Sequence, residues 1–190
     1  LYLEVDNPLQ ISVPGFSAGE ITASITNGSI APVKKSSGEY NARPSKKGKA
    51  SVTLYAKIDN KRTKMGTVEF RVKEVPPPKA RVPLAKKAGG VLMIEKTKML
   101  NSGGVLADLE NFDFEGVRYI ITSYRLTGMY KGEQMKRETT SGGGFTKDML
   151  NIIKNTKIGN TLTISNIKAK RVDIKNSKER QLDPLVLEIK

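Results

Sequence analysis

Acidic side chains that lie close together are the first candidates for chemistry in this chain. Glu110, Asp113 and Glu115 fall within one short stretch of the sequence. Paired carboxylates can act as general acid and base, or can bind calcium. Their spacing matches no EF-hand loop or other repeated calcium motif, so the pattern favours a solvated acidic loop. A hydrolase that uses only aspartate and glutamate stays open on composition, although no spacing favours it.

A glycine run is the second candidate. Ser141-Gly142-Gly143-Gly144 comes directly before a predicted helix, and backbone amides at a helix N-terminus can bind anions. A P-loop also needs Gly-Lys-Ser/Thr, and a dinucleotide fingerprint needs a βαβ unit. Neither accompanies this run, which therefore favours a flexible loop.

The chain has no cysteine and no histidine. This excludes disulfide bonds, thiolate and imidazole metal ligands, cysteine nucleophiles and Ser-His-Asp catalysis. Because neither the acidic cluster nor the glycine run has the spacing of a known site either, we predict no catalytic residue, no metal ligand, no cofactor-binding residue and no small-molecule substrate.

The formal net charge is +14, and basic residues exceed acidic ones by five in residues 1–75 and by nine in 76–190. Lys168, Lys170, Arg171 and Lys175 form the best candidate for a partner-binding patch. The alternatives are a merely charged outer sheet face, an acidic protein partner, and nucleic acid or anionic lipid. Sequence-specific RNA-binding modules interleave basic with exposed aromatic residues, and aromatic residues make up only 6% of this chain.

Three consecutive prolines mark a boundary between two domains. Pro76, Pro77 and Pro78 exclude a helix or a central strand and favour a semi-rigid polyproline spacer. We predict a first domain at 1–75, a linker at 76–79 that acts as a hinge, and a second domain at 80–190.

Apolar and polar residues alternate with period two through most of the chain, which is typical of half-buried antiparallel strands. In the first domain Asn27-Gly28 predicts a hairpin turn, and Asp59-Asn60-Lys61 predicts another. Tyr40 fits a structural tyrosine whose hydroxyl bonds to the backbone. The expected fold is mainly β, with two tandem Ig-like β-sandwich modules.

The second domain adds one short helix. Thr146 is a candidate N-cap, Asp148 suits the first turn, and an apolar face runs from Phe145 to Ile153. We predict a helix near 146–155, stopped by Gly159. Residues 117–126 predict a central strand, 133–140 a polar edge strand and 185–189 a final strand.

Three stretches of the first half resemble one periplasmic domain of the GldM/PorM family, which belongs to the gliding-motility and type IX secretion machinery of Bacteroidetes. They are Asp6-Asn7-Pro8-Leu9-Gln10-Ile11-Ser12-Val13-Pro14-Gly15, the run from Gly38 to Pro44 continued from Lys47 to Val52, and the run from Met65 to Val72 that leads into the prolines. The stretch from Gly159 to Ile167, which follows a helix, resembles the C-terminal domain of the same family.

The resemblance implies an Ig-like fold and a non-enzymatic role in a periplasmic motor. It implies a homodimeric shaft that is anchored in the inner membrane by an N-terminal helix absent from this sequence. Its implied partners are a GldL/PorL-type membrane motor protein through the missing part, and GldK/GldN (PorK/PorN)-type ring proteins through the C-terminal domain. No nucleic acid is expected as a partner.

No apolar run approaches the roughly 18 residues that a membrane span needs. The chain opens directly on the strand-like Leu1-Tyr2-Leu3-Glu4-Val5, which favours a fragment of a longer protein. The alternative function is that of a basic module that binds nucleic acid or an anionic surface, which needs only the net charge.

Overall fold

The structure is a computed structural model that describes residues 1–112, 114, 116–130, 133–139, 142–175 and 177–190, with the backbone alone at 130 and 133–139. It separates into two units, which divide between Pro76 and Pro77. Phe114 and Gly116 belong to the first unit, in which the Phe114 ring packs edge-on against Tyr2 with ring centroids 4.9 Å apart.

The first unit is a sandwich of two antiparallel three-stranded sheets, ordered β1-β4-β3 and β2-β5-β6. Its strands are β1 (Asn7–Gln10), β2 (Ile21–Ile25), β3 (Ser29–Pro32), β4 (Glu39–Arg43), β5 (Gly48–Ile58) and β6 (Lys61–Val72), with a 3-10 turn at Ala18–Glu20 before β2. The predicted mainly-β fold is therefore confirmed.

Tyr40 joins the two sheets of this sandwich. Its ring is buried together with Ile11 and Ile21, and partly buried apolar side chains of both sheets pack around them. Its hydroxyl donates a hydrogen bond of 2.8 Å to the carbonyl of Ile21, on the opposite sheet. The structural role predicted for Tyr40 is confirmed.

The prediction of a hairpin at Asn27-Gly28 is wrong. The flanking strands β2 and β3 belong to different sheets, so this corner carries the chain across the sandwich. The Asn27 amide oxygen accepts a hydrogen bond of 2.9 Å from the amide of Lys46, and a Cβ at Gly28 would lie 2.1 Å from the carbonyl oxygen of Arg43. The dipeptide fits because Asn27 holds the neighbouring loop and Gly28 admits close backbone approach.

The hairpin of the first unit lies at Asp59 and Asn60, between β5 and β6. Both residues have positive φ, 45° and 61°, and Ile58 pairs with Lys61 across the turn. Two successive left-handed residues give the twist that a tight antiparallel hairpin needs. The turn predicted at this position is confirmed.

The second unit is built on a seven-stranded sheet in the order β12-β11-β13-β15-β9-β8, with β14 paired to β13, and a two-stranded sheet of β7 and β10. Its elements are β7 (Lys79–Arg81), β8 (Lys86–Ala88), β9 (Val91–Ile94), α1 (Lys96–Asn101), β10 (Leu106–Asp108), β11 (Tyr119–Tyr130), β12 (Glu133–Thr139), α2 (Lys147–Asn155), β13 (Thr161–Arg171), β14 (Arg180–Gln181) and β15 (Leu185–Ile189).

The predicted helix, edge strand and final strand are all found. Helix α2 begins after Thr146, whose hydroxyl oxygen accepts from the amide of Met149 at 3.2 Å. It ends at Asn155, before the predicted stop at Gly159, because Thr156 adopts an extended conformation with ψ of 128°. The Thr156 hydroxyl bonds back to the carbonyl of Ile152. Helix α1 and the parallel pairing of β15 with β9 are additions that the sequence pattern did not predict.

Helix α2 packs on strand β11 at a glycine. A Cβ at Gly128 would lie 2.7 Å from Cγ2 of Ile152 and 2.6 Å from Cδ2 of Leu162. Both neighbours are fully buried. The missing side chain in the strand therefore makes room for the helix.

Candidate functional site

The predicted basic patch lies on strand β13, and a local bulge decides which way its side chains point. Asn166 has a positive φ of 51°, a conformation that asparagine tolerates better than most residues. Before it the even positions Leu162 and Ile164 point inward, and after it the odd positions Ile167 and Ala169 do so. The bulge thus reverses the alternation and turns the following lysines outward.

Lys168 and Lys170 are both exposed on the strand. The Lys168 ammonium lies 3.8 Å from the Glu179 carboxylate, a distance that gives weak pairing in solvent. Lys170 has no ion pair with any residue that the structure describes. These two lysines therefore present cationic groups to solvent, and their role in partner binding stays a prediction.

Arg171 is not exposed to solvent as the two lysines are, because its side chain points inward and is 6% exposed. Its Nε donates a hydrogen bond of 3.1 Å to Oδ1 of Asp173, and its Nη2 donates to Oδ2. Burial raises the pKa of the Asp173 carboxyl, but hydrogen bonds from Arg171 and from backbone amides outweigh burial and hold that pKa below its usual value. Arg171 thus positions the turn after β13 and does not belong to the exposed surface.

Lys175 lies in this turn and is exposed. The turn is closed by the amide of Arg171, which donates 3.1 Å to Oγ of Ser177, and by the amide of Val172, which donates 3.0 Å to the carbonyl of Arg118. The structure therefore brings Lys175 near the end of the same strand as Lys168 and Lys170, on a turn that is anchored at both ends.

Two apolar side chains belong to the same region, and sequence reasoning missed them. Ile120 pairs across the sheet with Lys170 and is 45% exposed, and Val172 is 42% exposed. The apolar residues on both faces of the run 117–126 were the signal that could have revealed Ile120. We name Lys168, Lys170, Lys175, Ile120 and Val172 the β13 surface; its mixture of cations and apolar groups fits a protein partner.

The predicted hinge prolines stand where the two units divide. Pro76 is half-buried, Pro77 is exposed and Pro78 is buried, and no regular secondary structure covers them. The unit boundary falls between the first two. Their role as a hinge stays a prediction.

The glycine run is held by neighbouring strands, whereas the sequence favoured a flexible loop. The carbonyl of Gly143 accepts from the amide of Val105 at 2.8 Å, and that of Gly144 accepts from the Tyr124 hydroxyl at 2.9 Å. The amide of Gly142 donates to Thr122. Ser141 lies outside the described residues. The described glycines thus form a packed junction.

A cavity of about 630 Å³ lies beside this junction. Its charged lining residues, Arg81 and Asp108, form an ion pair with 3.0 Å between Nε and Oδ2, and Leu106 and Ile120 supply apolar walls. The two charged groups that the cavity presents are therefore paired with each other.

The acidic cluster is the remaining candidate. Glu110 pairs with Lys79, with 2.5 Å between carboxylate and ammonium, while Asp113 and Glu115 lie outside the described residues. Within the described part of the chain, no three acidic side chains lie together as a metal would require. Nor does a described helix have the length and apolarity to cross a membrane.

The chain comprises two β-rich units in tandem, and the second carries an exposed basic and apolar surface. Two family models divide the chain between them: the GldM third domain matches residues 1–73 and the GldM C-terminal domain matches 75–190. The chain therefore belongs to the GldM family, whose domains indicate involvement in gliding motility and type IX secretion. The family is a structural component of that machinery and not a known enzyme family, and its C-terminal domains are periplasmic.

The other comparisons add little. A search of curated proteins found no match. Among solved structures, the adhesin InvE of Yersinia pseudotuberculosis is 14% identical, with a TM-score of 0.25, over 98% of this chain and 56% of that one. The chain thus spans about half the length of that adhesin, and a TM-score this low supports no inference.

Proposed function

We propose that this chain is the distal, non-enzymatic part of a dimeric periplasmic shaft that transmits force or conformational change in the gliding and type IX secretion motor. The observation that carries the proposal is the match of two consecutive GldM domains across the chain. The absence of cysteine and histidine from the sequence supports a mechanical role over a catalytic one.

In this proposal the longer protein is a homodimer that an N-terminal helix anchors in the inner membrane. The missing N-terminal part contacts a GldL/PorL-type motor protein, and the second unit contacts GldK/GldN (PorK/PorN)-type ring proteins at the outer membrane. The β13 surface supports the ring contact, because Lys168 and Lys170 offer charge while Ile120 and Val172 offer exposed apolar area. Such a mixture suits the rim and centre of a protein interface.

A pull-down with purified ring proteins tests the contact. The charge-reversal variant Lys168→Glu/Lys170→Glu should lose most of its retention. The matched control is Lys86→Glu/Lys87→Glu, which changes the same charge at two exposed lysines of β8 in the same unit. Equal retention of the two variants would refute the β13 surface as the contact, and equal retention of residues 1–75 alone would refute the assignment to the second unit.

Light scattering tests the dimer. A mass near twice the 20.9 kDa of the chain is expected at high micromolar concentration. A monomer mass under those conditions would mean that these two units do not carry the dimer contact.

A further inference from the structure

The outer face of the β5–β6 hairpin carries a group of cations near the hairpin turn, at the end of the part of β5 that β2 pairs with. Lys57 lies opposite Arg62, and Tyr55 lies opposite Lys64. Residues that are opposite, or two apart along a strand, share one face of a sheet, so these four side chains lie together. Ala56, between them in sequence, is 1% exposed. The opposite face is therefore the core face, and the four side chains face outward.

No carboxylate neutralises this group within the described part of the chain. Lys57, Arg62 and Lys64 take part in no ion pair with a described residue, whereas Lys49, farther along the same face, pairs with Glu69 at 2.8 Å. Like charges directly opposite each other destabilise a pair of strands. The arrangement is therefore unfavourable in the isolated unit and would be relieved by negative charge from outside.

The Arg62 guanidinium is already oriented. Its central carbon lies 3.6 Å from the centroid of the Tyr55 ring, a cation–π contact that fixes the group against the strand face. A planar guanidinium stacked in this way keeps its N–H edge available for bidentate binding of a carboxylate. The face therefore combines one ordered anion-binding group with two flexible ammonium groups.

We propose that Lys57, Arg62 and Lys64, the hairpin basic face, form a docking surface for an acidic segment of a partner protein. The choice of an acidic protein segment as the partner rests on charge complementarity. A lipid surface would need an exposed apolar face beside the cations, but the next pair on this face is Thr53 and Thr67, whose hydroxyls lie 3.0 Å apart. Ile58 and Met65 are each 38% exposed, but Ile58 alternates to the opposite face and Met65 is the unpaired residue at the register shift. Single-stranded nucleic acid stacks its bases on exposed aromatic rings, and the Tyr55 ring is covered by Arg62. The proposal lies in the first unit and does not depend on the ring contact proposed for the second.

The test measures binding of a fluorescent 20-residue poly-L-glutamate peptide to the full chain by anisotropy at several salt concentrations. Because the whole chain is basic, the comparison is between two charge-matched variants. The face variant Lys57→Glu/Arg62→Glu/Lys64→Glu should bind about tenfold more weakly than the wild type, which corresponds to about 1.4 kcal/mol. The control Lys34→Glu/Lys35→Glu/Lys46→Glu, at three exposed loop lysines of the same unit, should weaken binding about twofold or less.

Equal weakening by the two variants would overturn the proposal, because net charge alone would then explain the binding. The affinity for phosphatidylglycerol vesicles and for an oligonucleotide is measured with the same variants. If the face variant weakens either affinity more than it weakens poly-L-glutamate binding, the proposal is also overturned. If the charge-reversed face does not fold, Lys57→Gln/Arg62→Gln/Lys64→Gln replaces it. Tyr55→Leu, which keeps every charge, should weaken peptide binding about threefold, and an unchanged affinity would refute the orienting role of the ring.

Discussion

A buried tyrosine ties the glycine junction of the second unit to its central strand. The Tyr124 side chain is 1% exposed, its ring packs edge-on against Phe145 with centroids 6.4 Å apart, and its hydroxyl bonds to Gly144. Burial raises the pKa of this hydroxyl well above its usual value. The folded protein therefore keeps the tyrosine neutral at a pH where the unfolded chain ionises it.

This gives a pH-dependent prediction. The stabilising effect of Tyr124 is complete below about pH 10, where an unfolded tyrosine is protonated, and it is lost as the pH rises from there toward the folded-state pKa. Tyr124→Phe should cost about 1 kcal/mol at pH 7 through the lost hydrogen bond. At pH 10.5 the difference in the free energy of unfolding between wild type and variant, measured in urea, should be smaller than at pH 7. A gap that stays constant over this range would contradict the burial argument.

Gly128 offers a second prediction at a single residue. Gly128→Ala places a methyl group against Ile152 and Leu162 in a filled core, and overpacking of this kind costs about 1–3 kcal/mol. Gly66→Ala is the matched control, since Gly66 is also a strand glycine but its added Cβ meets nothing within 4 Å. Urea unfolding should separate the two, and equal effects would show that helix α2 yields to the added methyl.

Strand β13 shows how one residue conformation sets the surface of an element. The left-handed Asn166 reverses which positions face inward, so Lys168 and Lys170 point out and Arg171 points in. Without the bulge, the alternation that starts at Leu162 and Ile164 would bury both lysines. Burial of two unpaired ammonium groups is strongly unfavourable, so the bulge and the basic residues require each other.

The bulge can be tested by substitution of Asn166. Asn166→Gly should be tolerated, because glycine adopts positive φ freely. Asn166→Val should lose about 1–2 kcal/mol, because a β-branched residue is strained in that conformation. Urea unfolding compares the two variants, and a valine variant as stable as the glycine variant would mean that the bulge is not required at this position.

The whole molecule is two β-rich units that divide within a proline run. A polyproline segment has few accessible conformations, whereas glycine linkers behave as flexible coils. If the chain transmits motion, the stiffness of Pro76, Pro77 and Pro78 is part of its function.

Replacing all three prolines with glycine in the full-length protein should therefore leave both units folded and impair gliding or secretion. Circular dichroism and protease resistance check the folding, and colony spreading and secretion of a cargo protein check the function. Full activity in this variant would show that the segment is only a spacer.

Period-two alternation, turn residues and the cap at Thr146 determined much of this fold from the sequence alone. They gave the mainly-β class, the turn at Asp59 and Asn60, helix α2 and strand β15, because each depends on neighbours within a few positions. The missing cysteine and histidine excluded mechanisms that need a thiolate or an imidazole.

Only the tertiary structure decided which strands pair and which side chains are exposed. Asn27-Gly28 joins two sheets although its sequence favours a hairpin, and Ile120 shares its surface with a lysine on another strand. The cations at Lys57 and Arg62 become one face only when β5 folds against β6. These outcomes depend on contacts between distant parts of the chain, whose energies no local pattern contains.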